Sequence, residues 1–360
     1  MNQNPEKLED NISLLREMIE GTANDAEIYQ PGEYWLSKTK NAFGELNRCG
    51  IRNFRSFENG SSTSFADNPL VDVRTQHNWG LRAILVSFSR RVFPFNKFFD
   101  RQVNLTRGLF EEMLSYKNFV LSSSDRVKYL LENYKVPQDS IRGGCIDYLS
   151  YKGKKISHLY LRLLDVLAYM HESISLETKY SYMEIGGGFG VNLHLTIENF
   201  PNIRKFIYLD IPPNLYIGTQ YLKSFYEDAV IDYANSRKTT EIRFQNNEKL
   251  EIYCISPAQI EDLDLKIDVF HNAHSFVEMP KNVVKNYISH VKKILAENGD
   301  VYLTSYKKFN PETTLNPFDL LKFFNRKFDH CDHNTLIPGV DYVHFSSPGL
   351  LSTKDRTTKK

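Results

Sequence analysis

Tyr182-Met183-Glu184-Ile185-Gly186-Gly187-Gly188-Phe189-Gly190 is the stretch on which the reading of this chain turns. A short apolar run ends in glycines, and helical spacing begins at once in Val191–Phe200, so a strand leads through a tight turn into a helix. Glycines there permit a sharp turn and let backbone N–H groups approach a ligand with no Cβ in the way. The helix N-terminus adds donors and a dipole that favours an anionic group. Taken alone, a glycine-rich turn also fits a purely structural role.

Three details narrow the ligand. The glycines run Gly186-x-Gly188-x-Gly190, whereas a nicotinamide fingerprint would need glycine at Val191. No Gly-Lys-Ser/Thr follows, which excludes a Walker loop, and the Tyr148/Lys152 pair precedes the glycines, the wrong order for a short-chain dehydrogenase. Glu184 stands two places before Gly186, where a carboxylate receives a ligand ammonium. The next strand candidate ends in Asp210, placed to take both hydroxyls of a ribose. Ammonium, carboxylate and ribose together describe S-adenosylmethionine rather than a dinucleotide. Asp210 has a second reading, as the cap of the helix after Pro213.

Outward from this loop, residues after Lys179 alternate short apolar runs with helical patterns, which predicts βαβ units and a parallel sheet. Strands are expected at Tyr180–Ile185, Lys205–Asp210, Leu250–Ile255, Ile267–Ala273 and Val301–Tyr306. Helices are expected at Val191–Phe200, Asn214–Tyr226 and Pro280–Glu297, the last stopped by Gly299. A short helix around Phe318–Phe324 and a strand-like Tyr342–Phe345 follow. The first half reads as helical: Lys7–Glu20, Tyr34–Leu46, Leu105–Phe119, Ser124–Tyr134 with Ser123 or Ser124 as cap, and Ile156–Met170. Asn59–Ser64 reads as a surface loop. The fold class is therefore α/β, a Rossmann-like sheet with an N-terminal mainly helical region. Residues 1–175 are expected to form a helical substrate and lid region, 176–350 the cofactor-binding domain, and 351–360 a flexible tail.

Composition sets outer bounds. The 360 residues carry 45 Lys+Arg against 44 Asp+Glu, so no global field recruits nucleic acid or anionic lipid. Apolar runs such as Ala83-Ile84-Leu85-Val86 fall far short of the ~20 residues of a membrane helix, and the N-terminus has no export signal pattern. Cys49, Cys145, Cys254 and Cys331 have neither disulfide-framework nor zinc spacing, so the expected setting is reducing and cytoplasmic. Aromatics reach 13%, with 21 Tyr. They fit a Phe-rich core edged by Tyr, or a Tyr-lined groove for a polyhydroxylated substrate. His330 and His333 flank Cys331 and Asp332, but without helix context the pattern reads as solvated loop, and no metal is expected.

Glu184–Gly190, the Phe200-Pro201-Asn202-Ile203 break, Tyr208-Leu209-Asp210-Ile211-Pro212-Pro213-Asn214-Leu215-Tyr216 and Asp268–Met279 together resemble the bacterial sugar O-methyltransferases. The last stretch matches that family's Asn-x-x-Ser-Phe-x-Glu-Met run. The family belongs to the class I S-adenosylmethionine-dependent methyltransferases and is found among cell-surface polysaccharide genes. The resemblance is specific from about Tyr182 to Tyr306; upstream it is limited to an aromatic-rich helical region with a Tyr34-Trp35 pair. It implies methyl transfer to a sugar or glycan hydroxyl, with no nucleic-acid partner and no membrane insertion. The pair His271 and His274 departs from the family's pattern.

The cofactor set read from the sequence is Glu184, Gly186, Gly187, Gly188, Asp210, Ile211, Ser256 and Asn272. Ser256 would border the adenine edge, Ile211 its face, and Asn272 ends the fourth strand where ligands sit in open α/β sheets. A sugar hydroxyl needs its proton removed. The expected base is His274, near its ordinary pKa of about 6.5 and oriented or replaced by Glu278, with His271 as runner-up. Two other classes stay open at this point: a methyltransferase acting on another small molecule, RNA or protein, and a non-catalytic protein that binds S-adenosylmethionine.

Overall fold

The computed structural model describes residues 8–56, 115, 118–307, 315–334, 336 and 341–349. The expected loop Asn59–Ser64, nearly all of the helix Leu105–Phe119 and the tail 351–360 lie outside the described residues.

The strands are β1 (Tyr148–Tyr151), β2 (Lys154–Ser157), β3 (Ser181–Ile185), β4 (Lys205–Leu209), β5 (Val230–Ile231), β6 (Glu251–Ile255), β7 (Ile267–Ala273), β8 (Leu295–Tyr306), β9 (Asp329–Asn334) and β10 (Asp341–Ser347). β1 and β2 form a separate hairpin, and the rest make one sheet in the order β5-β6-β4-β3-β7-β8-β10-β9. Strands β5 to β8 pair in parallel, while β10 runs antiparallel between β8 and β9. From β3 the chain steps outward past β4 to the edge strand β5, comes back to β6 between them, then crosses to β7 on the other side of β3. That reversal opens a crevice at the carboxyl ends of β3 and β7, where doubly wound sheets bind ligands. The expected Rossmann-like α/β sheet is borne out.

Helices α1 (Ile12–Thr22), α2 (Glu33–Cys49), α3 (Asp125–Asn133), α4 (His158–Ser173), α5 (Val191–Asn199), α6 (Asn214–Tyr226), α7 (Tyr233–Ser236), α8 (Lys281–Ile294) and α9 (Pro317–Phe324) surround the sheet. Side chains alternate along a strand, so adjacent residues feed opposite layers. Tyr182, Phe206 and Tyr208 join Leu164 of α4, Leu193 of α5, Leu215 of α6 and Met18 of α1 in one cluster. Met183, Ile207 and Phe270 join Val284, Ile288 and Val291 of α8 and Phe324 of α9 in the other. Burial on both faces explains why β3 and β4 read as nearly continuous apolar runs.

Several expected boundaries move, each for a local reason. α1 starts at Ile12 because the Asn11 side chain caps it, accepting from the Leu14 N–H at 3.1 Å, while Asp10 takes the Ile51 N–H. The expected helix Ile156–Met170 begins at His158, since Lys154–Ser157 is a strand. Lys152 (φ 46°) and Gly153 (φ 77°) turn β1 directly into it, the positive-φ pair a two-residue hairpin requires. Gly299 is not a helix stop: α8 ends at Ile294, Leu295 takes extended geometry, and Gly299 lies inside β8. His330 and His333, expected in a solvated loop, sit in β9, where His333 is buried and bonds His344 and Asp165. Among the described residues no helix is long and apolar enough to cross a membrane.

Candidate active site

A cavity of about 330 Å³ opens at the crevice, a volume suited to a small-molecule ligand. Its floor is the glycine loop after β3. Asp210 and Ile211 after β4, and His274, Ser275 and Glu278 after β7, form its sides. Residues remote in sequence complete it: Gln30–Gly32 and Trp35 at the start of α2, Leu159, Arg162 and Leu163 on α4, Tyr287 on α8, Tyr306 on β8 and Tyr342 on β10.

The loop needs its glycines. Gly186 and Gly188 have φ of 71° and 62°, the left-handed region that disfavours side chains. A Cβ on Gly186 would also stand 2.3 Å from the Ser275 hydroxyl. The Asp210 carboxylate holds the loop in place, accepting from the Gly188 N–H at 2.9 Å and the Ile211 N–H at 2.8 Å. Its second reading as a helix cap is thus replaced by a loop-to-strand clamp. Asp210 lines the cavity, and its carboxylate retains acceptor capacity beyond these bonds. Burial pushes this carboxyl up to about 7, against the pull of the Ile211, Gly188 and Asn214 hydrogen bonds.

Glu184 is fully buried beneath the loop. One oxygen accepts from the Asn192 amide at 2.6 Å, whereas Oε2 is buried with no hydrogen-bond partner among the described residues. Such an oxygen costs about 1–3 kcal/mol or more unless a donor reaches it. A Cβ on Gly187 would sit 2.8 Å from this atom, so the open oxygen lies directly under the loop. Burial raises the Glu184 carboxyl to about 8, with the Asp210 charge adding to the rise and the Asn192 bond opposing it.

The two expected base residues share the cavity but differ in chemistry. His274 caps the short helical turn Ser275–Glu278 with φ of 67°, held by its N–H on the Thr304 carbonyl at 2.8 Å. Its ring lies between Tyr306 and Tyr342, with centroids 4.6 and 4.3 Å away. Both ring nitrogens are buried without hydrogen-bond partners among the described residues. Glu278 therefore does not orient the ring as the four-residue spacing suggested. Burial, aided by the Arg162 charge, lowers His274 to about 3, far below the expected 6.5. Glu278 moves the other way: burial raises it to about 7, moderated by the Lys38 charge and a hydrogen bond from Trp35.

Glu184, Gly186, Gly187, Gly188, Asp210, Ile211, His274 and Glu278 thus face one cavity, and three expected residues do not. Ser256 starts the turn after β6, its N–H bound to the Gln259 side chain at 3.0 Å. Asn272 ties the end of β3 to the turn after β7, donating to the Ile185 carbonyl at 2.9 Å and the Ser275 hydroxyl at 2.6 Å. His271, within β7, is fully buried with its Nδ1 2.5 Å from the Tyr182 hydroxyl, and burial lowers it to about 3. Tyrosines do edge the cavity, but they are Tyr287, Tyr306 and Tyr342. Tyr160, Tyr216 and Tyr221 are core instead. Trp35, Arg162 and Asn192 were not anticipated in the site; only the Tyr34-Trp35 pair gave any sign.

No family model matches the chain, and no curated protein matches it. Solved structures similar to it include a precorrin-6y C5,15-methyltransferase from Geobacter metallireducens, with 14% identity, a TM-score of 0.34, and 52% of this chain and 88% of that chain covered. An O-methyltransferase family protein from Burkholderia thailandensis shares 10% identity, with a TM-score of 0.36 over 52% of this chain and 57% of that one. A mitomycin 7-O-methyltransferase shares 11%, with a TM-score of 0.38 over 81% and 76%. Likeness at these values assigns this chain neither an activity nor a substrate.

Proposed function

We propose that this protein is an S-adenosylmethionine-dependent O-methyltransferase acting on a sugar hydroxyl, with a place in cell-surface glycan synthesis. The observation that carries the cofactor is Glu184 Oε2, a buried carboxylate oxygen without a partner among the described residues, under a glycine loop that admits no side chain. It suits an ammonium, and the Asp210 carboxylate suits a ribose diol. The remaining cavity residues fit the group: Ile211 and Tyr287 offer apolar surface for a purine, and the loop N–H groups offer donors. Bound there, the cofactor supplies an electrophilic methyl group on a sulfonium.

The chain's own contribution is positioning and proton removal. Tyr306, Tyr342, Trp35 and Leu163 line the cavity and would flank the acceptor and keep water from it. Glu278, poised at about 7, is matched to taking a hydroxyl proton near neutral pH, whereas a histidine lowered to about 3 is a poor acceptor. We assign Glu278 as the base and His274 as a wall of the acceptor pocket. Trp35, Tyr306 and Tyr342 line the cavity that Glu278 also lines, and such aromatic walls support a pyranose acceptor, consistent with the resemblance to sugar O-methyltransferases.

The test is transfer of isotopically labelled methyl from S-adenosylmethionine to nucleotide sugars and oligosaccharides, run beside RNA, peptide and phenolic acceptors. A sugar methyl ether identified by mass spectrometry is expected. Label found only in another acceptor class, or binding with no transfer to any, would overturn the assignment.

A further inference from the structure

We propose that Trp35 is a positioning residue for Glu278, its indole N–H holding that carboxylate on the cavity wall from the opposite end of the chain. The proposal rests on the reading of Glu278 as base. Trp35 and Glu278 line the same cavity from different elements, α2 and the turn after β7. The indole faces the same cavity wall closely enough to act on the Glu278 carboxyl, and because an indole N–H can only donate, its influence favours the charged carboxylate. Lys38, one turn further along α2, lies 4.9 Å from the centre of the Trp35 ring, and its charge also acts on Glu278. The start of α2 is registered against this turn by contact: a Cβ on Gly32 would stand 2.9 Å from Pro280, two residues beyond Glu278.

Glu278 therefore sits between opposed influences. Burial favours its neutral form, whereas the indole donor and the Lys38 charge favour the carboxylate, leaving it near 7. The other titratable groups of the cavity are Glu184 and Asp210 by the glycine loop, Tyr287 on α8, Tyr306, Tyr342 and the His274–Arg162 pair. Glu184 and Asp210 are themselves raised to about 8 and about 7, so their ionisation overlaps that of Glu278 and must be separated by variants. The consequence is that a helix over two hundred residues away in sequence sets both the rotamer and the proton affinity of the base.

The chain has only two tryptophans, Trp35 and Trp79, so indole ¹⁵N–¹H spectra of the full protein are readable once Trp79→Phe assigns them. The Trp35 indole signal is expected to move with a midpoint near 7 in wild type and to lose that transition in Glu278→Gln. In Trp35→Phe, ¹³C-carboxyl titration should place the Glu278 midpoint higher, by up to about tenfold in ionisation constant, as the donor that favoured the anion is gone. An indole signal that is flat between pH 5.5 and 8.5, or that titrates identically in Glu278→Gln, would overturn the proposal. These measurements need no cofactor or acceptor. Failure to bind S-adenosylmethionine would thus sink the proposed function while leaving the Trp35–Glu278 contact standing.

Discussion

Glu184→Gln separates a ligand-binding carboxylate from a structural one. Burial raises the Glu184 carboxyl to about 8 from an ordinary 4.5. The folded state thus binds a proton that the unfolded state releases, and stability contributed by this group falls as pH rises from about 4.5 towards 8. A tenfold change in an acid constant corresponds to about 1.4 kcal/mol. Wild type should therefore lose up to about that much stability per pH step of one across the window, relative to a glutamine that never ionises. Binding shows the reverse preference, because an ammonium needs the ionised form. With a carboxyl near 8, the ionised fraction rises from about a hundredth at pH 6 to about half at pH 8, so affinity for S-adenosylmethionine should rise about fiftyfold. Replacing the charged partner costs about 1.5–3 kcal/mol, or roughly ten- to a hundredfold in affinity at pH 8. Thermal melts and calorimetric titrations from pH 6 to 8.5 read both effects. The reasoning fails if wild-type affinity is flat across that range, or if Glu184→Gln binds as tightly as wild type.

Three further outcomes follow from the geometry. Glu278→Gln should lower methyl-transfer turnover by ~10²–10⁴ with cofactor affinity unchanged, whereas His274→Ala should cost less; the reverse ranking in steady-state kinetics would return the base to the histidine. Gly188→Val forces a β-branched residue to φ of 62° and disturbs the N–H that Asp210 holds, so calorimetry should detect no cofactor binding while circular dichroism shows a folded chain. Asp165 is buried and accepts from Arg126 and His333, each at 2.7 Å, tying α4 to α3 and β9. Asp165→Ala removes an acceptor from each, although His333 keeps His344 and the partly exposed Arg126 keeps Glu172, and should cost about 1–3 kcal/mol, read as a lowered chemical-denaturation midpoint.

Local signals carried the elements that local physics determines. β7 spans Ile267–Ala273 and α6 spans Asn214–Tyr226, as the apolar pattern alone indicates, and the glycine loop joins β3 to α5 where its residues place it. The Lys152-Gly153 turn was legible in principle, but the helical spacing of the leucines that follow masks the short hairpin. β9 reads as a polar loop because its sequence, Asp-His-Cys-Asp-His-Asn, carries no apolar alternation; it becomes a strand by pairing with β10. In the site, backbone position was readable whereas side-chain destination was not. Asn272 ends the expected strand yet points its amide at the β3 carbonyl, and His274 lies in the expected place yet is walled by two tyrosines in a burial that suppresses its basicity. Trp35 and Arg162 reach the cavity only through tertiary packing, which no local window contains.

The most direct test of the central claim is a calorimetric titration of the full chain with S-adenosylhomocysteine at pH 8, for wild type and Asp210→Ala. The account predicts one-to-one binding by wild type. It also predicts that affinity falls roughly ten- to a hundredfold in the variant, as the ribose hydroxyls lose a charged acceptor. Absence of binding by the folded wild type, or equal affinity in a folded Asp210→Ala, would contradict it.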